Sequence, residues 1–200
     1  METLTRKDKK YYEALLENNE ISNKSSISLL NYAWIDTSLG LMLAIADKLE
    51  LYLLEFVERK RLETEIKLLL KKSKGAIKKV KIDSSYPIKF IEKELKLYFN
   101  GQLTEFNTPY CMLGSPFQKK VWEELIKIPY GQTRSYLEQA KMLGNPDAVR
   151  AVANANGANQ LSIIVPCHRI IASDGGLGGY GGGIARKKWL LDMENSKKCK

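Results

Sequence analysis

The first half of the chain alternates short apolar runs with tight turns. Three such runs follow one another, at residues 30–35, 41–46 and 51–56. Apolar runs of this length that are separated by turn residues are typical of strands joined by hairpins, so the pattern predicts an antiparallel meander. Two longer segments with helical spacing follow at 58–72 and 87–99, and Asn100-Gly101 provides an end signal for the second of them.

Helix punctuation is sharper in the second half. Ser115-Pro116-Phe117-Gln118 has the form of a capping box with proline in the first turn, so we expect a helix to begin there. Apolar residues at spacings of four, four and three predict its buried face, namely Phe117, Val121, Leu125 and Ile128. A second helix is expected from Thr133 to Gly144, and a third, capped by Asn145-Pro146, is expected to run to Asn154. Three short helices with a tight turn between the last two suggest a helix-turn-helix, although helical hairpins that bind no DNA share this pattern.

Three segments lack such a pattern. Residues 1–26 are polar, and we treat them as an N-terminal appendage. Residues 71–81 contain six lysines, which predicts a solvated loop. Residues 102–114 show no period and are predicted to be a linker. The predicted domains are therefore 27–101 and 115–200.

The chain is basic, with 32 lysines and arginines against 23 acidic residues and a net charge of +9. Residues 111–200 hold 13 basic and 7 acidic residues, so the excess lies mainly there. Such an excess suits a polyanion such as nucleic acid, although many basic proteins bind none. The N-terminus lacks the apolar core of a signal peptide, and no apolar run reaches membrane-spanning length. We therefore expect a cytoplasmic protein without a membrane partner.

Cysteine and histidine usage narrows the chemistry. The three cysteines, Cys111, Cys167 and Cys199, are an odd number, which argues against a disulfide framework and favours one reduced, reactive thiol. His168 is the only histidine, so a zinc site built from cysteine and histidine is excluded. We expect neither a metal nor another cofactor.

Pro166-Cys167-His168-Arg169 lies between two apolar runs and is the best candidate for a chemical centre. A buried cysteine is usually inert, but neighbouring cations favour the thiolate that a nucleophile needs. Consecutive residues of an extended segment point to opposite sides, so either the chain turns here or a water carries a proton between Cys167 and His168. Glu194, at the end of a final helix predicted at 184–194, is a candidate to orient His168.

Two neighbouring features allow two interpretations each. The helix around 147–157 is rich in alanine, and Arg150 is its only long basic side chain. That composition fits a helix packed tightly inside the protein and equally a recognition helix lying against a groove. The glycine-rich segment 175–183 fits a plain connector, or a wall that lets a flat ligand approach the backbone, with Tyr180 as its one aromatic residue.

Residues 164–170, Ile-Val-Pro-Cys-His-Arg-Ile, resemble the signature of the O6-alkylguanine-DNA alkyltransferases, together with residues 157–159 and the glycine-rich segment. The resemblance is strong over 115–195, looser over 29–101, and does not extend to the appendage. It implies a ribonuclease H-like α/β domain with a small antiparallel sheet, followed by an all-α, winged-helix-like domain that holds a helix-turn-helix. It also implies a monomer that scans the nucleoid and irreversibly transfers alkyl groups from O6-alkylguanine, or O4-alkylthymine, in double-stranded DNA to Cys167.

The resemblance further implies roles for single residues. Cys167 would accept the alkyl group, and His168, held by Glu194, would act through a water. Tyr136 would rotate the 3′ phosphate and donate a proton to the departing guanine, while Arg150 would fill the space left by the flipped nucleotide. The implied DNA contacts are Tyr136, Asn145, Arg150, Ala151 and Arg169. The implied pocket residues are Asn156, Ile170 (through its backbone), Tyr180, Gly181 and Gly182. Asn159 would tie the recognition helix to the active-site turn, and Pro166 would have a structural role at the site.

Two departures from the family pattern concern the pocket. Gly181 stands where several relatives have a serine, so a contact to the guanine oxygen must come from backbone amides. Asn156 replaces a bulkier residue, and both changes suggest a roomier site.

Three other functions compete with alkyl transfer. A non-catalytic protein that flags damaged DNA is disfavoured because the acceptor cysteine is present. A helix-turn-helix regulator that senses alkylation through Cys167 would have to act without the further domains of such proteins. A cysteine hydrolase is disfavoured because no oxyanion site is indicated.

Overall fold

The computed structural model describes residues 6–17, 30–73, 77–79 and 81–196. These residues form two compact units. One comprises the chain up to Lys96 together with Asn107–Cys111, and the other comprises Leu97–Phe106 and the chain from Met112 onward. Cys199 and parts of the predicted appendage lie outside the described residues.

The first unit is built on a four-stranded sheet. Its strands are β1 (Leu30–Thr37), β2 (Gly40–Ala46), β3 (Leu51–Phe56) and β4 (Ile77–Lys79), in the order β3-β2-β1-β4. The predicted meander is confirmed, because β2 pairs antiparallel with both β1 and β3. The Thr37 hydroxyl closes the first hairpin by donating to the Gly40 carbonyl (2.6 Å), and the φ of +116° at Gly40 suits glycine.

The lysine-rich segment differs from its prediction. Strand β4 lies within residues 71–81, which the lysines predicted to be a solvated loop, and it pairs parallel with β1. The sheet is therefore mixed and not purely antiparallel. Among the described residues, the sheet is accompanied by the α-helices α1 (Arg6–Glu17), α2 (Leu62–Ser73) and α3 (Tyr86–Phe99).

The ends of the first unit also differ from the predicted limits. Helix α1, in the segment treated as an appendage, buries Leu16, and its Glu13 accepts a hydrogen bond from the Trp34 indole (3.1 Å). Leu51 of β3 exchanges backbone hydrogen bonds with Pro109 and Cys111, which lie in the predicted linker, and both bonds measure 2.9 Å. Residues 107–111 therefore belong to the sheet region, although they lack the apolar periodicity that would predict a strand.

The second unit is mainly helical. Its helices are α4 (Pro116–Ile126), α5 (Tyr136–Met142), α6 (Val149–Gly157) and α7 (Ile184–Ser196), with α3 ending in this unit from Leu97 onward. It is not entirely α-helical, because two short strands, β5 (Arg134–Ser135) and β6 (Ile170–Ile171), pair in parallel. The Trp122 indole donates to the Ala155 carbonyl (2.8 Å) and so joins α4 to α6.

Helix starts follow the local capping chemistry. The capping box of Ser115 and Gln118 is confirmed. The second helix begins later than predicted, because Ser135 and not Thr133 is its cap and completes a capping box with Glu138. Asn145 makes no side-chain cap; a short 3₁₀ turn, Pro146–Ala148, precedes α6 instead. On the predicted apolar face of α4, Phe117 is 39% exposed, whereas Val121, Leu125 and Ile128 are buried.

No helix in the described ranges combines the length and apolar character that crossing a bilayer requires.

Candidate active site

Cys167 is the first residue of a 3₁₀ turn, Cys167–Arg169, that follows the buried Pro166. The chain therefore turns at the cysteine, so Cys167 and His168 are not consecutive residues of an extended segment. Cys167 is only 7% exposed, and its Sγ accepts a hydrogen bond from the Asn159 amide (3.3 Å). The thiol is held in one orientation at the wall of a pocket.

Asn159 fixes the loop that precedes the cysteine. Its Nδ2 donates to the Val165 carbonyl (2.9 Å), and its Oδ1 accepts from the Leu161 amide (3.0 Å). Between these two contacts, Ile163 has a φ of +74°, a left-handed conformation that costs a β-branched residue on the order of 1–3 kcal/mol. Asn159 therefore braces the loop that leads to Cys167, and its predicted role of tying the recognition helix to the active-site turn stays a prediction.

His168 is fully buried, and its Nε2 lies 2.9 Å from Oε1 of Glu194. Burial lowers the pKa of His168 and outweighs the opposing effect of Glu194, so the ring is neutral at neutral pH. The hydrogen-bond network assigns the proton to Nε2, which donates to the carboxylate. Nδ1 is then a proton acceptor, and it is buried with no hydrogen-bond partner among the described residues.

Glu194 is buried and gathers donors from several segments. The Tyr98 hydroxyl (2.5 Å), the Gly131 amide (3.0 Å) and the Arg169 guanidinium (3.0 Å) all donate to it. Burial alone would raise the pKa of Glu194, but His168 and Arg169 outweigh burial and hold that pKa well below its usual range. The carboxylate therefore stays ionised and orients His168 without taking its proton.

Arg169 lies in the interior, whereas its predicted role as a DNA contact requires an exposed side chain. It is 6% exposed, it forms an ion pair with Glu194, and it donates to the Ile128 carbonyl (2.6 Å). A guanidinium that is buried and paired in this way offers nothing to a DNA phosphate. We correct the sequence-based prediction accordingly: Arg169 supports Glu194 and is not a DNA contact.

A pocket of about 390 Å³ opens in front of the thiol. The residues that line it come from α5, α6, the turn at the cysteine and the glycine-rich segment: Tyr136, Ala153, Asn154, Asn156, Gly157, Cys167, Gly179, Tyr180 and Gly181. Three of them are glycines, so backbone forms much of the wall. This favours the wall interpretation of the glycine-rich segment over a plain connector.

Tyr136 stands at the start of α5 beside the glycine-rich segment. A Cβ at Gly178, whose φ is +64°, would come within 3.1 Å of the Tyr136 ring. Only glycine therefore combines this backbone conformation with so close an approach to the tyrosine. Burial, followed by the charge of Cys167, raises the pKa of Tyr136, so its hydroxyl keeps its proton at neutral pH.

The remaining predicted pocket residues divide into two groups. Asn156 lines the pocket, and Gln139 fixes its amide, with Asn156 Nδ2 donating to Gln139 Oε1 (2.7 Å). Ile170 and Gly182 are buried but do not line the pocket. Their carbonyls accept hydrogen bonds from Lys187 and Arg186 respectively. Their predicted place in the pocket is corrected to a supporting one.

The predicted recognition helix presents its basic residue to solvent. Arg150 and Ala151 are exposed on α6, and Asn145 is exposed before it, whereas Val152 and Ala155 are buried. The helix is therefore packed on one face and open on the other. This geometry decides against a helix enclosed on all sides.

Lys187 is the most consequential site residue that the sequence analysis missed. It is fully buried in α7, and burial lowers its pKa to about 8. Its position carries a signal, since Leu190, Leu191 and Glu194 follow at three, four and seven residues and so share its buried face. Tyr98 carries no comparable signal, because it lies 96 residues from its partner Glu194.

Comparison with known proteins identifies similar chains. Residues 116–196 match the family model described as 6-O-methylguanine DNA methyltransferase, DNA binding domain. The Mycobacterium tuberculosis protein named methylated-DNA–protein-cysteine methyltransferase is 54% identical over 104 residues, which are 52% of this chain and 63% of that protein. The match thus spans less than two thirds of this relative's length.

Two further relatives are covered more completely. A probable methylated-DNA–protein-cysteine methyltransferase of Acanthamoeba polyphaga mimivirus is 50% identical over 116 residues, which are 56% of this chain and 77% of that protein. The crystal structure of Mycobacterium tuberculosis OGT in complex with DNA superposes with a TM-score of 0.72 at 38% identity. That superposition covers 83% of this chain and 93% of the other.

Proposed function

The chain belongs to the family of the methylated-DNA–protein-cysteine methyltransferases, and we propose that it repairs DNA by direct reversal. In this reaction the alkyl group of O6-alkylguanine, or of O4-alkylthymine, passes to Cys167. One observation carries the proposal. A buried, oriented cysteine faces a pocket of about 390 Å³, and the next residue in the chain is a neutral histidine that contacts an ionised carboxylate.

The transfer exchanges one bond for another. The Cys167 thiol loses its proton, its sulfur attacks the alkyl carbon, and a carbon–sulfur bond forms while the bond from that carbon to guanine O6 breaks. The electron pair of the broken bond goes to guanine, which takes up one proton and remains in the DNA as the normal base. A thioether has no comparable route back to a thiolate, so each molecule reacts once.

His168 receives the thiol proton at Nδ1, through a water, in this proposal. Its neutral state and the Nε2 contact to Glu194 support this role, because together they leave Nδ1 as the acceptor. Arg169 and Tyr98 keep Glu194 charged and correctly placed. Tyr136 keeps its hydroxyl proton and lines the pocket, which supports its role as proton donor to the departing guanine.

Access to the lesion requires the nucleotide to leave the base stack, at a cost of about a few kcal/mol. A thiol that is 7% exposed cannot reach a base inside a duplex. We assign α5 and α6 to the duplex as a helix-turn-helix, with Tyr136 at the 3′ phosphate, Arg150 in the gap, and Ala151 and Asn145 beside the groove. The exposure of Arg150 supports this assignment.

Arg150→Ala is expected to slow the repair of duplex DNA far more than the reaction with free O6-benzylguanine. The free base needs no flipping, so the loss of a side chain that fills the gap does not affect it. Rates on both substrates, measured as alkylated protein over time, check this prediction. Lys127→Ala, which removes one exposed positive charge in the same unit, is the matched control. Equal losses on both substrates would mean that Arg150 supports the fold instead.

The proposal also includes the fold of each domain, the oligomeric state and the cellular location. The strand order β3-β2-β1-β4, with β4 parallel to β1, supports a ribonuclease H-like first domain. The small β5–β6 pair beside the helices supports a winged-helix-like second domain. We also propose a monomer that acts in the cytoplasm on nucleoid DNA, as a self-contained pocket within one unit requires no second copy.

The products in the DNA test the proposed reaction. Duplex DNA with a single O6-methylguanine is incubated with the protein, digested to nucleosides and separated by chromatography. Direct reversal predicts that O6-methyldeoxyguanosine disappears and that an equal amount of deoxyguanosine appears. Release of the free modified base, or binding with no change in the lesion, would instead indicate excision or a non-catalytic damage sensor.

A further inference from the structure

Lys187 differs from the lysine and arginine beside it in helix α7. Arg186 is partly exposed and the Lys188 side chain is 64% exposed, whereas Lys187 is fully buried. Burying an ammonium group is costly unless its environment compensates for the lost water. A lysine in this position therefore requires an explanation that an apolar side chain of similar size would not.

The contacts of Lys187 link the two walls of the alkyl-acceptor site. Its Nζ donates to the carbonyl of Ile170 and to the carbonyl of Gly179 (3.2 Å). Ile170 follows directly after the turn that holds Cys167, and Gly179 lines the pocket. One ammonium group thus joins the cysteine segment to the glycine-rich wall.

The charge of Lys187 is not neutralised by a carboxylate. Both of its hydrogen-bond acceptors are main-chain carbonyls, and among the described residues no acidic group forms an ion pair with it. Burial lowers its pKa to about 8, and the charge of Cys167 acts in the opposite direction. The same interaction must favour the thiolate of Cys167 when the lysine is protonated, because the coupling between two charges is mutual.

We propose that Lys187 is a positioning residue of the alkyl-acceptor site, whose buried ammonium holds the glycine-rich wall against the Cys167 segment and stabilises the reacting thiolate. The inference rests on the alkyl-transfer function proposed above. It adds a cation to the site on α7, the helix that also carries Glu194, and the charge of this cation contributes to the lowered pKa of His168. The substrate of the site remains the alkylated base, and the role of Lys187 requires no additional ligand.

Replacement of the lysine tests the proposal without DNA. Lys187→Gln removes the charge and keeps an amide donor, Lys187→Arg keeps both charge and donors, and Lys188→Gln is the control on the exposed neighbour. Benzylation of Cys167 by free O6-benzylguanine is followed by intact mass at pH 7. We expect Lys187→Gln to react at least about tenfold more slowly, Lys187→Arg to recover much of the rate, and Lys188→Gln to match the wild type.

The pH dependence separates a charge effect from a loss of packing. The midpoint of the rise in rate should move upward by about one pH unit in Lys187→Gln, since a nearby cation favours the thiolate. In the wild type, the rate should level off or fall above the lysine pKa of about 8. Melting curves show whether each variant is folded, and the wild-type profile needs no variant at all.

Each outcome has a defined meaning. A Lys187→Gln protein that matches Lys188→Gln in rate and midpoint overturns the inference, as does a slower variant whose midpoint is unchanged. If Lys187→Gln does not fold, a wild-type rate that keeps rising through pH 9.5 overturns it as well. If the wild-type protein is never benzylated, the proposed alkyl transfer itself fails, which is a different result from failure of the lysine inference alone.

Discussion

Cys167→Ala is expected to lose alkyl transfer completely while it still binds duplex DNA. The thiol is the strongest nucleophile among the residues that line the pocket, and the alanine side chain differs from cysteine only by the missing sulfur. The surface that we assign to DNA, with Arg150 on α6, is untouched by this change. The measurements are intact mass after incubation with DNA that contains O6-methylguanine, and a binding titration on the same duplex.

Cys111→Ala provides the matched control for this variant. Cys111 is a partly exposed cysteine of the first unit, and its backbone pairs with Leu51. We expect its replacement to leave the rate of transfer unchanged. Residual methylation of the Cys167→Ala protein, on Cys111 or on Cys199, would identify a different acceptor and remove the basis for the assigned site.

His168→Ala and Glu194→Gln are each expected to slow transfer by at least about tenfold at pH 7, which is about 1.4 kcal/mol on the activation barrier. A thiol at its reference pKa of about 8.5 is only a few per cent ionised at this pH. A neutral histidine held by an ionised carboxylate compensates for this low fraction of thiolate, because it accepts the thiol proton. The double variant should be little slower than either single one, because the two residues act as one unit.

A pH series from 6 to 9 distinguishes this relay from a purely structural role of Glu194. Rising pH should partly rescue both variants, because hydroxide then ionises the thiol directly. Asp192→Asn, an exposed carboxylate on the same helix, should behave like the wild type. Rates are compared per folded molecule, since loss of the Glu194 charge leaves Arg169 buried without its partner. A Glu194→Gln profile that overlays the wild-type profile would reject the relay.

Local sequence signals predicted the elements that local chemistry controls. The hairpin of β1 and β2 and the capping box at Ser115 depend on residues a few positions apart, and both are present. The error at Thr133 has the same origin. Thr133 and Ser135 are both able to cap a helix, but only Ser135 has a glutamate three residues later, Glu138, to complete a capping box.

Local sequence signals did not predict the contacts between distant parts of the chain. Strand β4 pairs with β1, so lysines that suggest a solvated loop lie partly in a sheet. The resemblance implied a DNA contact for Arg169, but Glu194, 25 residues away, and the carbonyl of Ile128 bind it in the interior. The sequence located the cysteine, the histidine and the carboxylate. The spacing of Lys187 marks only a buried face of α7, and its link to the site is visible from its contacts with Ile170 and Gly179.

The stoichiometry of Cys167 alkylation tests the central claim most directly. Wild-type protein is incubated with an excess of duplex DNA containing O6-methylguanine, and the intact mass and the masses of its peptides are followed over time. The account predicts that each molecule gains one methyl group, that the methyl group is on the peptide with Cys167, and that repair then stops at one lesion per molecule. Repair of many lesions per molecule, or a methyl group on any other residue, would contradict it.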